Sequence, residues 1–212
     1  VTILIYLSIY GIKTKSFNDL IIDKIKEVNP KLSLNISDVF FKLNAKEKSI
    51  NITTENSRIF IDKEFINLSS IDLNLDILKF LRKENAIKKI KILTDKNKIE
   101  NFANFINSYK FSIPRVLFFN QIKDGNITAE ININFSNKDT SEYFFDVNAN
   151  IRDAKLNLLN QYKIEGIDFD LNIKNNKYII ENTKFNSEGI NFNSKKIIIK
   201  EINKNYEIQG DI

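Results

Sequence analysis

Residues 125–135 read GNITAEININF, and from Ile127 onward every second residue is apolar: Ile127, Ala129, Ile131, Ile133 and Phe135. Thr128, Glu130, Asn132 and Asn134 fill the alternate places. Side chains alternate sides along an extended strand, so this spacing puts all five apolar residues on one face. A half-buried antiparallel strand suits the pattern.

The rhythm spreads toward the C-terminus. Tyr143, Phe145, Val147, Ala149 and Ile151 share a face, then Leu156 and Leu158, then Ile167, Phe169, Leu171 and Ile173. Tyr178–Phe185, Ile190–Lys200 and Tyr206–Ile212 complete the set. The turns are polar: Asn137-Lys138-Asp139, Asn175-Asn176 and Asn203-Lys204-Asn205. Asparagine tolerates the left-handed conformation and can stand in for glycine there. The chain stops at Gly210-Asp211-Ile212 inside a strand pattern, which predicts a fragment of a longer protein whose sheet continues.

Toward the N-terminus the same period holds with interruptions. Leu32, Leu34 and Ile36 alternate, a bulge is expected near Ser37-Asp38, and Val39, Phe41 and Leu43 follow. Ile50 and Ile52, Arg58–Ile61, then Ile71, Leu73 and Leu75 within Ile66–Asp76, and Ile87, Ile90 and Ile92 predict more strands. About a dozen result, at the spacing of all-β folds. DILKFLRK (Asp76–Lys83) breaks the period and suits a helical turn capped by Asp76.

Two segments carry helical spacing. In Ser16–Val28, Phe17, Leu20, Ile21, Ile25 and Val28 form one face; Ser16 suits the cap, Asp19 lies in the first turn, and Asn29-Pro30 ends the helix. In Lys98–Tyr109, Ile99, Phe102, Ala103, Ile106 and Tyr109 do the same. A linker holding Pro114 follows. Val1–Ile12 (VTILIYLSIYGI) is charge-free and nearly all apolar, with Lys13 and Lys15 behind it. Twelve helical residues span about 18 Å, short of a hydrocarbon core of about 30 Å. The segment is expected to be the outer end of a membrane span; a signal-peptide core and a buried first element are the alternatives.

Composition narrows the chemistry. The 212 residues contain neither Cys nor His, so thiolate metal sites, disulfides and histidine acid–base chemistry are excluded. Lysine and arginine number 32 against 27 acids, for a well-mixed net charge of +5. The Ile, Asn and Lys bias matches AT-rich coding. No Walker loop, GxGxxG, GxSxG or HExxH occurs. Asp168 and Asp170 share a strand face and could serve acid–base work or hold a cation, but they read as the polar partners of Ile167, Phe169 and Leu171. Lys79, Arg82, Lys83, Lys88, Lys89 and Lys91 lack the interleaved aromatic platforms of a nucleic-acid site and read as a solvated face, with lipid head groups as the second option. Four sequons (Asn35, Asn51, Asn67, Asn126) are what chance yields in a chain so rich in Asn.

The order of elements resembles the N-terminal region of the AsmA-like family, the group that includes the TamB and YhdP types. A membrane span precedes an amphipathic helix, then a strand such as LSLNISDVFF. FINLSSIDLNLDILKFLRK ends in a short helix and is followed at once by AIKKIKIL; this step is the most family-like stretch. GNITAEININF and YFFDVNANIRDAKLNLL resemble the family's repeating hairpins. The likeness covers most of the chain and rests on patterns of residue type. The strand near Ile90 lacks the proline that often follows in the family. The resemblance implies an inner-membrane-anchored periplasmic β-groove that helps move phospholipid toward an outer membrane, and it carries over no catalytic residue.

The expected fold is α+β, mostly β. A long curved antiparallel sheet forms an open apolar groove of the β-taco type, with two short amphipathic helices near the N-terminus. The expected parts are the end of a membrane anchor (1–12), a helix-plus-strand region (13–112) and a repeating hairpin groove (113–212). Groove residues are expected at Ile71, Leu73, Leu75, Ile131, Ile133, Phe135, Phe145, Val147, Ile167, Phe169, Leu171 and Ile173. No catalytic residue, cofactor or metal is expected. The expected partners are phospholipid acyl chains and the membrane, not nucleic acid, with the bulk of the chain in the periplasm of a Gram-negative-type bacterium. An anchored β jelly-roll of lipopolysaccharide export and a structural or adhesive β-domain with a filled core are the other two readings.

Overall fold

The computed structural model describes residues 2–15, 18–36, 38–82, 84, 86–109, 121–135, 143–158, 161–174, 177–202 and 205–210. In chain order the elements are α1 (Thr2–Ile9), β1 (Ile12–Thr14), α2 (Asn18–Val28), β2 (Leu32–Asn35), β3 (Val39–Asn44), β4 (Ser49–Ile61), β5 (Glu64–Asp76), α3 (Ile77–Leu81), β6 (Ile87–Thr94), β7 (Asn97–Lys98), α4 (Ile99–Tyr109), β8 (Ile122–Phe135), β9 (Tyr143–Leu158), β10 (Tyr162–Lys174), β11 (Lys177–Ser187), β12 (Ile190–Ile202) and β13 (Asn205–Gly210). The strands form one open antiparallel sheet in the order β1-β3-β4-β5-β6-β8-β9-β10-β11-β12-β13, with β2 on β4 and β7 on β8. The period-two residues thus form strands as expected, and the two expected amphipathic helices are α2 and α4, joined by α1 and α3. The chain divides into two compact units: residues 1–60, 67–94 and 131–145, and residues 61–66, 95–130 and 146–212.

In the first unit, β2 alternates buried and exposed as its sequence dictates, with Leu32 and Leu34 inside. The irregularity near Ser37 separates two strands, β2 and β3, that both pair with β4; Ser37 itself lies outside the described residues. The register sets Phe41 against Ile52 and Val39 against Thr54, and Ile50, Ile52, Thr54 and Val39 are all buried. β5 and β6 match apolar to apolar: Ile71 with Ile92, Leu73 with Ile90, Leu75 with Ile87. Their other faces are polar, with Asp72 opposite Lys91 and Asn74 opposite Lys89. Thr53 Oγ1 donates to Asp72 at 2.7 Å, and Asn74 Nδ2 donates to Asn51 Oδ1 at 2.6 Å.

The helices of this unit follow from local chemistry. Asp76 caps α3 as expected: its carboxylate accepts from the N–H groups of Leu78 (2.9 Å) and Lys79 (3.1 Å), two donors that the first turn leaves orphaned. These bonds, the Lys79 N–H first, with Lys88 3.1 Å away, hold the Asp76 carboxyl below the ordinary range. α2 turns Ile21 inward and packs on β2; the expected cap Ser16 is outside the described residues. α1 packs on β3, and Gly11 lets the chain bend from α1 into β1 with φ +67°. A Cβ at Gly11 would lie 2.5 Å from the Phe40 ring and 2.6 Å from the Phe41 carbonyl oxygen, so only glycine fits this approach. Ile5, Tyr6, Ile9 and Tyr10 stay more than half exposed. Among the described residues no helix is long and apolar enough to cross a membrane.

In the second unit, strands β9 to β13 form consecutive antiparallel pairs, and α4 lies against one side of the sheet. Ile99 of α4 joins Ile127, Ala129, Ala149, Ile151, Ala154 and Ile167 in a buried apolar cluster, with Phe102 packed on it; Ala103, one turn further on, is buried too. Gly125 makes that contact possible. A Cβ there would lie 2.6 Å from Ile99 Cδ1 and 2.8 Å from Ala154 Cα, and φ is +130°. The start of α4 is held by the β7–β8 pair (Asn97 with Ile127) and by Lys98 Nζ on Asp124 at 2.8 Å. That ammonium, with the Gly125 N–H, lowers the Asp124 pKa.

Candidate functional site: an apolar row beside a helix-covered core

Directly opposed residues of an antiparallel pair point to the same side, so the register of the second unit assigns each side chain to a face. One row runs Val147–Ile173–Tyr178–Ile199–Ile208 across β9 to β13. The next runs Ala149–Leu171–Ile180–Ile197–Gly210. A third starts with Ile151–Phe169. No charged residue interrupts them. Where α4 covers this face, Ala149, Ile151 and Ile167 are buried. Away from the helix, Val147, Ile173, Tyr178, Ile197 and Ile199 are only half-buried and Ile208 is 67% exposed. Five strands at roughly 4.8 Å each make the first row about 19 Å long, the reach of a long acyl tail.

The opposite face is mainly polar, apart from the opposed pair Ile179 and Ile198. Asn172 Nδ2 bonds Asn148 Oδ1 (2.7 Å) and Asp146 Oδ1 (3.0 Å), and Lys196 Nζ meets Glu181 Oε1 at 2.7 Å. Asp170 accepts from Asn182 Nδ2 at 2.8 Å and pairs with the Arg152 guanidinium. Those two partners, Asn182 first, hold its carboxyl below the ordinary range. Arg152 also donates to the Ile151 and Phe169 carbonyls at 2.8 and 2.9 Å. Asp168 and Asp170 therefore serve the backbone and its bulges, as their reading as polar partners implies.

Three irregularities step across this face. The register slips between β9 and β10 and between β10 and β11, and Asp153 (φ 56°), Gly166 (φ 59°) and Asn182 (φ 55°) sit at the slips in left-handed conformation. A bulge adds one residue and bends its strand locally. The slips keep Phe169, Leu171 and Ile173 on the side of Ile151, Ala149 and Val147.

The expected groove residues divide three ways. Ile71 and Leu75 are buried in the first unit and Ile167 in the second, so packing already fills their surroundings. Leu73, Ile131, Ile133 and Phe135 are half-buried in the first unit, and Phe145 is 42% exposed there. Val147, Phe169, Leu171 and Ile173 are brought together on the second unit's apolar face. The sequence reading left out Tyr178, Ile180, Ile197, Ile199 and Ile208, which extend the face over three more strands. Ile197-Ile198-Ile199 is a continuous apolar run, so alternation alone does not say which members face which way.

Of the basic run, Lys88 is committed to Asp76 and Lys91 lies opposite Asp72; Lys83 is outside the described residues. So are Pro114 and the turns at residues 137–139, 175–176 and 203–204. Among the described residues no group of three or more His, Cys, Asp or Glu is placed to hold a metal. No family model, no curated protein and no solved structure matches this chain.

Proposed function

We propose that the chain is a membrane-associated, extracytoplasmic binding module whose apolar sheet face holds the acyl chains of phospholipids and passes them along. The observation that carries this is the uninterrupted row Val147–Ile173–Tyr178–Ile199–Ile208, half open to solvent and backed by a mainly polar face. A methylene moved from water onto such a face gains up to about 0.8 kcal/mol. Neighbouring rows are alike in chemistry, so a tail slides from one to the next without a deep trap and without a reaction. The exposed apolar side of α1 (Ile5, Tyr6, Ile9, Tyr10), followed by Lys13 and Lys15, suits contact with a bilayer. The resemblance to AsmA-like proteins supports transfer between inner and outer membranes as the setting.

Native mass spectrometry of the purified chain tests this, together with a photoreactive residue at Ile199 in the presence of phospholipid vesicles. Bound phospholipid and a crosslink to its tail are expected, and Ile199→Asp should abolish the capture. A chain free of lipid, with no crosslink, sinks the proposal. A second reading, a β-domain with a filled core, is favoured by one observation: the buried cluster that Ile99 of α4 makes with Ile127, Ile151 and Ile167.

A further inference from the structure

On the polar face of the second unit, one row reads Asp146–Lys174–Lys177–Lys200–Glu207 in cross-strand register. Opposed residues in such a row have Cβ atoms about 5 Å apart, and like charges placed so work against the pairing. Elsewhere on this face opposite charges find each other, as Lys196 finds Glu181 and Arg152 finds Asp170. In this row they do not. Asp146 accepts from Asn172 Nδ2 at 3.0 Å, and Glu207 accepts from Gln209 Nε2 at 2.8 Å. Among the described residues, Lys174, Lys177 and Lys200 form no ion pair. Three ammonium groups on adjacent strands thus share a patch about 10 Å wide with no counter-charge inside it.

We propose that Lys174, Lys177 and Lys200 form a binding site for a single phosphate group, free in solution or as the head group of an anionic phospholipid. Lysine presents a compact charge with three rotatable donors, so three of them surround the oxygens of one phosphate. Asp146 and Glu207 close the patch at both ends and repel further negative charge, so it suits one phosphate and not a string of them. Ile179 and Ile198, opposed to each other in the next row but one, put apolar surface nearby instead of the aromatic platforms that nucleic acid uses.

The test uses the full chain and two probes. Inorganic phosphate is titrated while the lysine side-chain resonances are followed by NMR. Vesicles of phosphatidylcholine, with and without phosphatidylglycerol, are sedimented with the protein. Lys177→Gln, at the centre of the row, is expected to weaken binding of the responding probe at least tenfold. Lys177→Arg should restore most of it, and Lys163→Gln, the same charge change at the far end of β10, should weaken it no more than twofold. A response to phosphate alone assigns the site to a soluble ligand; a response only to phosphatidylglycerol assigns it to head groups; both support the site. Equal losses from Lys177→Gln and Lys163→Gln, or no response to either probe, overturn it. The site does not depend on acyl capture: a chain that crosslinks to tails at residue 199 and ignores both probes removes this inference alone.

Discussion

Asp168 Oδ1 accepts the backbone N–H of Asp153 at 2.8 Å, tying a left-handed residue of β9 to the neighbouring strand. Asp153 has φ 56°, a conformation that costs a residue with a Cβ of order 1 kcal/mol. The side chain of Asp168 therefore gives back, through a charge-assisted hydrogen bond, part of what the bulge costs. Asp168→Ala is expected to lower stability by about 1–2 kcal/mol, from the lost bond and the unpaired amide. Asp168→Asn keeps an acceptor oxygen and should lose under half of that. Urea unfolding of the three proteins checks it; equal stability of Asp168→Ala and the parent would show that the bond is incidental.

The β11–β12 hairpin invites a stabilising change. Ser187 pairs with Ile190, and the two residues between them, Glu188 (φ 52°) and Gly189 (φ 83°), both have positive φ. Two-residue turns of this kind favour Asn-Gly, because asparagine enters the left-handed region at lower cost than glutamate. Glu188→Asn should raise stability by roughly 0.5–1 kcal/mol, seen as a higher Tm, without altering the register that brings Phe185 against Phe192.

How far the fold was legible depends on what each element needed. Alternation alone placed β2, β5, β8 and β10, because a side-chain period of two has no other simple meaning. Asp76 announced α3, since an aspartate before a helical turn meets orphaned N–H groups. The bulges were hidden: Asp153 and Asn182 adopt φ values that glycine would have signalled, and they depend on partners 15 and 12 residues away, Asp168 and Asp170. Of the twelve expected groove residues, Ile71, Leu75 and Ile167 are buried, which the stripe could not foretell for a physical reason. A stripe of apolar residues shows that one face avoids water, not what covers it. At Ile71, Leu75 and Ile167 protein covers it; at Val147 and Ile173 solvent reaches it. The lysine row was invisible because Lys174, Lys177 and Lys200 become neighbours only through register.

Acid should weaken this protein through three carboxylates. Asp76, Asp124 and Asp170 are each held below the ordinary aspartate range by hydrogen bonds and a nearby cation. A carboxyl lowered in the folded state binds fewer protons there than in the unfolded chain. Its contribution is therefore complete above the unfolded value, about 4, and is lost as pH falls through the folded one. Stability should be flat with respect to these groups from pH 7 to about 5 and decline below about 4. Asp170→Asn should flatten part of that decline; an unchanged acid limb in Asp76→Asn, Asp124→Asn and Asp170→Asn alike would remove the assignment.

The contact between α4 and the sheet turns on Gly125. The Ile99 side chain occupies the space a Cβ would take, at 2.6 Å, and the Ala154 backbone closes the other side at 2.8 Å. The tip of Ile99 can yield only by leaving its packed rotamer, and the Ala154 backbone cannot give way without moving β9, while the β7–β8 pair and the Lys98–Asp124 ion pair hold the start of α4 in place. Gly125→Ala should then cost roughly 2–5 kcal/mol, combining overpacking with a strained φ of +130°. The compensating change is on the helix: Ile99→Ala alone leaves a cavity and costs about 2–4 kcal/mol. Added to Gly125→Ala, it makes room for the new methyl group, so the double variant should be more stable than the sum of the two losses predicts. That non-additivity is the signature of a shared contact. A double-mutant cycle by urea unfolding measures it, and strictly additive losses would mean that α4 does not rest on Gly125.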